Sequence, residues 1–235
     1  MKNAVIITSG GLDSTTALYQ AINEHGNNVV ALSFDYGQRH VKELQCAKQI
    51  SYDLGIEHHI IELHDVTKLI ATSALTDPDH DVPEGHYEWD TMVQTVVPNR
   101  NAMMANIGIA VAVAQEARYM YLGVHAGDHA VYPDCRPEFI AALTQLANIA
   151  NEGLIHPFFE ICTPFIYKTK ADIVTSGAVL DVPWEKTWTC YKGGEIHCGR
   201  CSTCVERLEA FDLAGHVDTV EYADRDYYKT VIANV

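Results

Sequence analysis

Two groups of residues have the types and the spacing to do chemistry. Ser9-Gly10-Gly11-Leu12-Asp13-Ser14-Thr15-Thr16 follows a short β-branched run, Val5 to Thr8, and leads into a stretch whose Ala17, Leu18, Ala21 and Ile22 share one helical face. A strand that hands over to a helix through two glycines lets the backbone approach an anion closely. The free N–H groups of the helix start then point at that anion, and Ser9, Ser14 and Thr15 add hydroxyl donors. That is phosphate chemistry, although Ser-Gly-Gly taken alone is also an ordinary turn with Asp13 and Ser14 as caps. The chain has no G-x-x-x-x-G-K-[ST] loop and no G-x-G-x-x-G after this strand, which excludes P-loop kinases and GTPases and the dinucleotide-binding fingerprint.

The second group is Cys190, Cys198, Cys201 and Cys204, spaced C-x7-C-x2-C-x2-C. Four soft thiolates suit a tetrahedral ion, with Gly199 allowing a tight knuckle, so one structural zinc per chain is expected: four protein ligands leave no position for a reactive water. The same thiolates also satisfy an iron–sulfur cluster. Disulfide pairing is disfavoured because nothing points to export. His197 reads as an exposed neighbour that could substitute as a ligand, Cys46 and Cys162 read as buried small hydrophobes, and Cys135 stays open.

The elements that must position these groups alternate. Val5–Thr8, Val29–Phe34, about 58–62 and Tyr119–Val124 read as strands, and Ser14–His25, His40–Leu54, Asn101–Ala117 and Pro137–Asn151 as amphipathic or small-residue helices. Short connections between them predict an α/β fold with a doubly wound parallel sheet. Residues 64–98 are too long for a plain connection and read as an active-site cover, with His80 to Trp89 as a lid. His58, His59 and His64 read as solvated surface. We expect a body over residues 1–180, with a zinc-binding segment, residues 181–235, packed on the same domain.

The chain has 235 residues, of which 48% are hydrophobic and 20% charged, enough for a real core in one or two domains. Its formal charge of −15 repels phosphate backbones, which excludes broad electrostatic binding to DNA or RNA but not a local basic pocket. The first residues lack the apolar region of a signal peptide, and the run from Ala102 to Ala114 is too short to cross a bilayer of roughly 30 Å. A cytoplasmic enzyme without nucleic-acid or membrane partners is expected; Trp184, Trp188 and Phe211 leave a homodimer open.

The glycine string resembles the pyrophosphate loop of the N-type ATP pyrophosphatases. Further strings extend the likeness: Phe34-Asp35-Tyr36-Gly37-Gln38-Arg39-His40, Val97-Pro98-Asn99-Arg100-Asn101, Gly123 through Asp128, Tyr132-Pro133-Asp134-Cys135-Arg136, Thr189-Cys190-Tyr191 and His197 through Cys201. Together they resemble the 7-cyano-7-deazaguanine synthase family from about Ala4 to Arg207. Asn99 departs from the family glycine, though asparagine tolerates positive φ; Ala126 and His129 replace more variable loop residues.

The resemblance implies an adenine nucleotide alpha hydrolase-like (PP-loop) fold and an ATP-dependent ligase acting on 7-carboxy-7-deazaguanine and ammonia, with Mg²⁺ accompanying ATP. It implies catalytic roles for Ser9, Asp13, Ser14, Arg100 and Lys170. Contacts to nucleotide or substrate would come from Thr8, Ser9, Gly10, Gly11, Leu12, Asp13, Ser14, Thr15, Thr16, Asp35, Tyr36, Gly37, Arg100, Asn101, Gly123, Asp128, Tyr132, Asp134 and Arg136. Arg100, Arg136 and Lys170 are the cations expected to meet the triphosphate. Asp35, Asp128, Asp134 and Arg136 are expected to read a guanine-like edge or hold metal, while Tyr36, Trp184 and Trp188 are expected to pack rather than stack on a purine.

Overall fold

The structure is a computed structural model that describes residues 2–70, 73–77, 79–88 and 92–233. Five parallel strands, β1 (Ala4–Ile7), β2 (Val29–Asp35), β3 (Glu57–Glu62), β4 (Tyr119–Tyr121) and β5 (Glu160–Cys162), lie in the order β3-β2-β1-β4-β5. β1 is central, its Ala4 opposite Val29 of β2 on one side and Tyr119 of β4 on the other. The chain leaves β1 toward β2 and returns to β4 on the opposite side, so a crevice opens above the carboxyl end of β1, where such sheets place ligands.

Period-two alternation builds both faces of the sheet. Val5 points with Val30, Leu32 and Phe34 into a core shared with Met104, Ala105 and Ile109 of α4 (Arg100–Ala114) and Ile140 and Leu143 of α5 (Pro137–Ala150). Ala4 and Ile6 face the other way, onto Ala17, Leu18 and Ala21 of α1 (Leu12–His25), Ile50 of α2 (Lys42–Asp53) and Ile173 of α6 (Lys170–Val179). Ala4, Val5 and Ile6 are fully buried, as a strand covered on both faces must be.

Several expectations change in detail. β4 ends at Tyr121: Leu122 N–H still donates to Cys162 O at 3.0 Å, and Leu122, Gly123 and Val124 line the cavity instead of extending the strand. β5 and the helix α7 (Ser202–Leu213) were not singled out from periodicity. Residues 64–98 are more than a cover: they include a short helix, α3 (His64–Thr67), and bury Leu75 in the main core and Met92 against Tyr132 and Cys135. His58 is half-buried and bonded to Ser33 Oγ at 2.8 Å, whereas His59 is exposed. Cys46 and Cys162 are half-buried rather than buried. Trp188 and Phe211 are buried, and Trp184 packs edge-on against Phe211 at 4.9 Å. Of the three aromatics that left a homodimer open, Trp188 and Phe211 lie inside the protomer and Trp184 is half-buried. Among the described residues, no helix is long and apolar enough to cross a membrane.

Candidate active site

A cavity of about 240 Å³ opens above β1, lined by Thr8, Ser9, Gly11, Leu12, Asp13 and Ser14 at one wall. Gly10 makes this turn possible: its φ is +89°, and a Cβ there would sit 2.1 Å from Glu43 O. No L side chain fits both constraints. The loop is held by its own hydroxyls, with Ser9 N–H donating to Ser14 Oγ (3.0 Å) and Gly11 N–H to Ser9 Oγ (3.2 Å). The first intrahelical bond runs from Thr15 N–H to Gly11 O, which leaves the N–H groups of Leu12, Asp13 and Ser14 without helical partners. Thr8 Oγ1, Thr15 Oγ1 and Asp13 Oδ1 are buried with no hydrogen-bond partner among the described residues. The N–H groups and the threonine hydroxyls at this helix start are donors suited to an anion, whereas the Asp13 oxygen is an acceptor suited to a cation.

Beside the loop, Lys170 Nζ lies 2.6 Å from Asp13 Oδ2 and 3.2 Å from Glu206 Oε2. Burial alone would depress the ammonium's pKa, but Asp13, Glu206 and Asp128 overcome it and the pKa ends raised. Glu206 is shifted upward by burial, in spite of Lys170 and His125. His125 is buried, accepts from Gly127 N–H at Nδ1 (3.1 Å), and turns Nε2 toward Asp128 (3.5 Å) and Glu206 (3.9 Å).

The opposite part of the wall holds Tyr36, Arg100, Asn101, Tyr132 and Asp134 with His40, Glu43 and Tyr191. Asn99 takes the left-handed conformation, φ 56°, that the glycine at this turn would supply. Burial raises the Glu43 carboxyl to about 8 against the opposing hydrogen bond from Gln38, and burial with Arg100 lowers His40 to about 3. Their 3.4 Å contact is thus a neutral imidazole against a carboxyl at neutral pH.

Six expected site residues do not line the cavity. Gly10 backs onto α2, Thr16 Oγ1 is bound to Leu12 O, and Thr15 lies buried behind the helix start. Asp35 pairs with His64 (2.7 Å) and caps Gly37 N–H, and exposed Arg136 donates to His129 O. Gly123, Asp128 and Lys170 do line it, and Trp188, expected only to pack, is both buried and part of the wall.

The four cysteine Sγ atoms lie within 4.8 Å of one another, which fits a single tetrahedral ion. Backbone N–H groups of Arg200 and Cys201 approach Cys198 Sγ at 3.4 and 3.2 Å, the donors a metal-bound thiolate needs. Gly199 has φ +76°, and a Cβ there would meet Asp224 O at 1.8 Å. His197 is not exposed: it is 3% accessible, packs with its ring tilted 38° against Trp188 at 4.3 Å and accepts from Thr189 N–H, which makes it a packing residue of the knuckle. The expected lid is tied to this knuckle. Glu84 pairs with Arg200, Gly85 N–H donates to Arg200 O, and Tyr87 reaches the cavity to donate to Asp128 Oδ1 (3.1 Å). Trp89 lies outside the described residues.

The family described as "Queuosine biosynthesis protein QueC" matches residues 3–215. The chain belongs to the QueC family. It is 50% identical over 228 residues to the 7-cyano-7-deazaguanine synthase of Brucella anthropi, covering 97% of each chain. It is 47% identical to that of Pseudoalteromonas translucida, covering 94% of this chain and 99% of the relative. The NMN synthetase of Francisella tularensis shares the fold, with a TM-score of 0.50 at 16% identity, over 97% of this chain and 84% of that one.

In this QueC-family chain the sequence reading missed Glu206 and Tyr87 as cavity residues, and it quoted His40 and His125 without assigning them roles. Glu206 sits on a helix read only for its cysteines, and nothing local marks a single glutamate as buried. Glu43 belongs to a stretch read as the apolar face of α2, so its inward turn at the first helical residues carried no periodic signal.

Proposed function

We propose that this chain is a 7-cyano-7-deazaguanine synthase that makes the nitrile from 7-carboxy-7-deazaguanine and ammonia through two ATP-dependent adenylations. The observation that carries the ATP step is the helix start over β1, where the N–H groups of Leu12, Asp13 and Ser14 lack helical partners and their loop lines the same cavity as Lys170. The relatives' names supply the product, 7-cyano-7-deazaguanine.

A carboxylate repels nucleophiles and has a poor leaving group. Its oxygen attacks the α-phosphorus of ATP and pyrophosphate leaves; ammonia then adds at the acyl carbon and AMP departs with loss of a proton, giving the amide. The amide oxygen attacks a second ATP in the same way, and loss of AMP and of both nitrogen protons leaves the nitrile. The N–H groups of Leu12, Asp13 and Ser14 and the hydroxyls of Ser9 and Ser14 hold the departing pyrophosphate, and Lys170 offsets its charge. In a chain of net charge −15, this local arrangement has to overcome the global field. Mg²⁺ enters with the nucleotide, and Asp13 and Asp128 are the carboxylates that would face it. Zinc held by the four cysteines would supply structure, fixing the Cys190–Cys204 knuckle and the 83–85 strap bonded to it against the body.

Metal-loaded protein incubated with ATP, Mg²⁺, ammonia and the carboxy-deazapurine is expected to release AMP and pyrophosphate and yield the nitrile. Folded protein that releases no AMP overturns the reading.

A further inference from the structure

We infer that Arg100 is the seat of the carboxylate the enzyme activates, so that the acid and the triphosphate are held by different cations. This rests on the synthase reading and deepens it. Arg100 is the first residue of α4, at the positive end of a 15-residue helix, and its guanidinium lines the cavity. Among the described residues it forms no ion pair. Its hydrogen bonds go to Asn101 Oδ1 (3.2 Å) and the Tyr36 hydroxyl (3.5 Å), both neutral. Asp134 is close by but accepts from the Asn101 backbone N–H instead.

The other inward-facing cations differ. Arg207 has Asp218, with two N···O contacts of 2.7 and 3.0 Å, and Lys170 has Asp13 and Glu206. Arg100 is half-buried in the cavity wall with no carboxylate among the described residues beside it, so an anion entering the cavity finds a cation free to pair with it. Lys170 belongs to the phosphate loop, since its nearest partner is a residue of that loop. Arg100 shares none of Lys170's bonding partners.

What surrounds Arg100 also fits a flat aromatic acid better than a phosphate chain. Its guanidinium carbon lies 5.9 Å from the Tyr36 ring centroid and 5.6 Å from that of Tyr132, and Tyr191 lines the same wall. A bicyclic ring can lie on phenol faces while the planar fork meets its carboxylate at two points. The sequence reading grouped Arg100 with the triphosphate cations; the geometry separates it from them.

The two half-reactions allow a clean test, because the acid is an anion and the intermediate amide is neutral. Steady-state kinetics of the metal-loaded full chain would be measured for Arg100→Gln and Arg100→Lys with the acid, with 7-amido-7-deazaguanine, and with varied ATP. For Arg100→Gln the KM for the acid is expected to rise about ten- to hundredfold, the range of a charge-assisted two-point contact. The KM for ATP should stay within about twofold, and amide conversion should fall as well, by about tenfold less than acid conversion, because the amide keeps an acceptor oxygen but carries no charge. Arg100→Lys, which keeps the charge without the fork, should fall between wild type and Arg100→Gln on the acid and guards against a misfolded glutamine variant; melting curves accompany both. A parallel rise in the KM for ATP, or an equal loss on acid and amide, overturns the assignment. Wild-type protein inactive on both substrates would instead overturn the synthase reading itself.

Discussion

Lys170 Nζ donates to Asp13 Oδ2 across 2.6 Å, joining residues 157 positions apart at the starts of two different helices. A lysine in the first turn of a helix opposes the macrodipole, so its position is locally unfavourable. Three carboxylates, Asp13, Glu206 and Asp128, compensate, and they bring the N-termini of α1 and α6 to one point.

Lys170→Met would leave Asp13 and Glu206 facing each other without a cation. AMP release is expected to fall by about 10²-fold or more, the scale on which one electrostatic donor acts in a dry site. Lys170→Arg should recover part of it. A methionine variant within twofold of wild type in AMP release would remove Lys170 from the reaction.

Cys201→Ser should lower metal content and melting temperature together, because apparent binding energies of such sites are on the order of 10 kcal/mol and hold the knuckle in place. Gly199→Ala should do the same through backbone, given the 1.8 Å approach to Asp224 O. Elemental analysis beside a melting curve checks both. A Cys201→Ser protein that remains stable yet inactive would make the metal catalytic.

The buried pair of Arg207 and Asp218 is satisfied on every side, since Arg207 also donates to Thr187, Thr189 and Trp184 O, and Asp218 accepts from the Tyr222 hydroxyl. Asp218→Asn should therefore cost about 3–5 kcal/mol in urea unfolding. Burial alone would raise the Asp218 pKa, but Arg207 and Tyr222 bring it below its ordinary value. The stability it lends is complete above the ordinary carboxylate range and drains away as pH falls through the depressed pKa.

Glu43 titrates in the opposite sense. Burial raises its carboxyl from 4.5 to about 8, so the folded state holds a proton that the unfolded chain releases, and stability declines as pH rises through that window. Glu43→Gln should raise the melting temperature at pH 8.5 relative to wild type, with the difference shrinking toward pH 5. A difference that is flat across this range would show that Glu43 is ionised throughout.

Local chemistry wrote much of this protein into its sequence. The alternation of β-branched runs with helical faces, the two glycines after β1 and the four-cysteine spacing depend on neighbours a few residues apart, and each specifies its own geometry. Asn99 adopted positive φ for the same local reason. Pairing across the fold was not legible. That Lys170 is clasped by Glu206, that Asp35 turns away to His64, that His197 is buried and that Arg100 has no carboxylate partner among the described residues all follow from how helices pack on the sheet. Such contacts are decided by the sum of many weak burial terms over long separations, and no single residue type announces them.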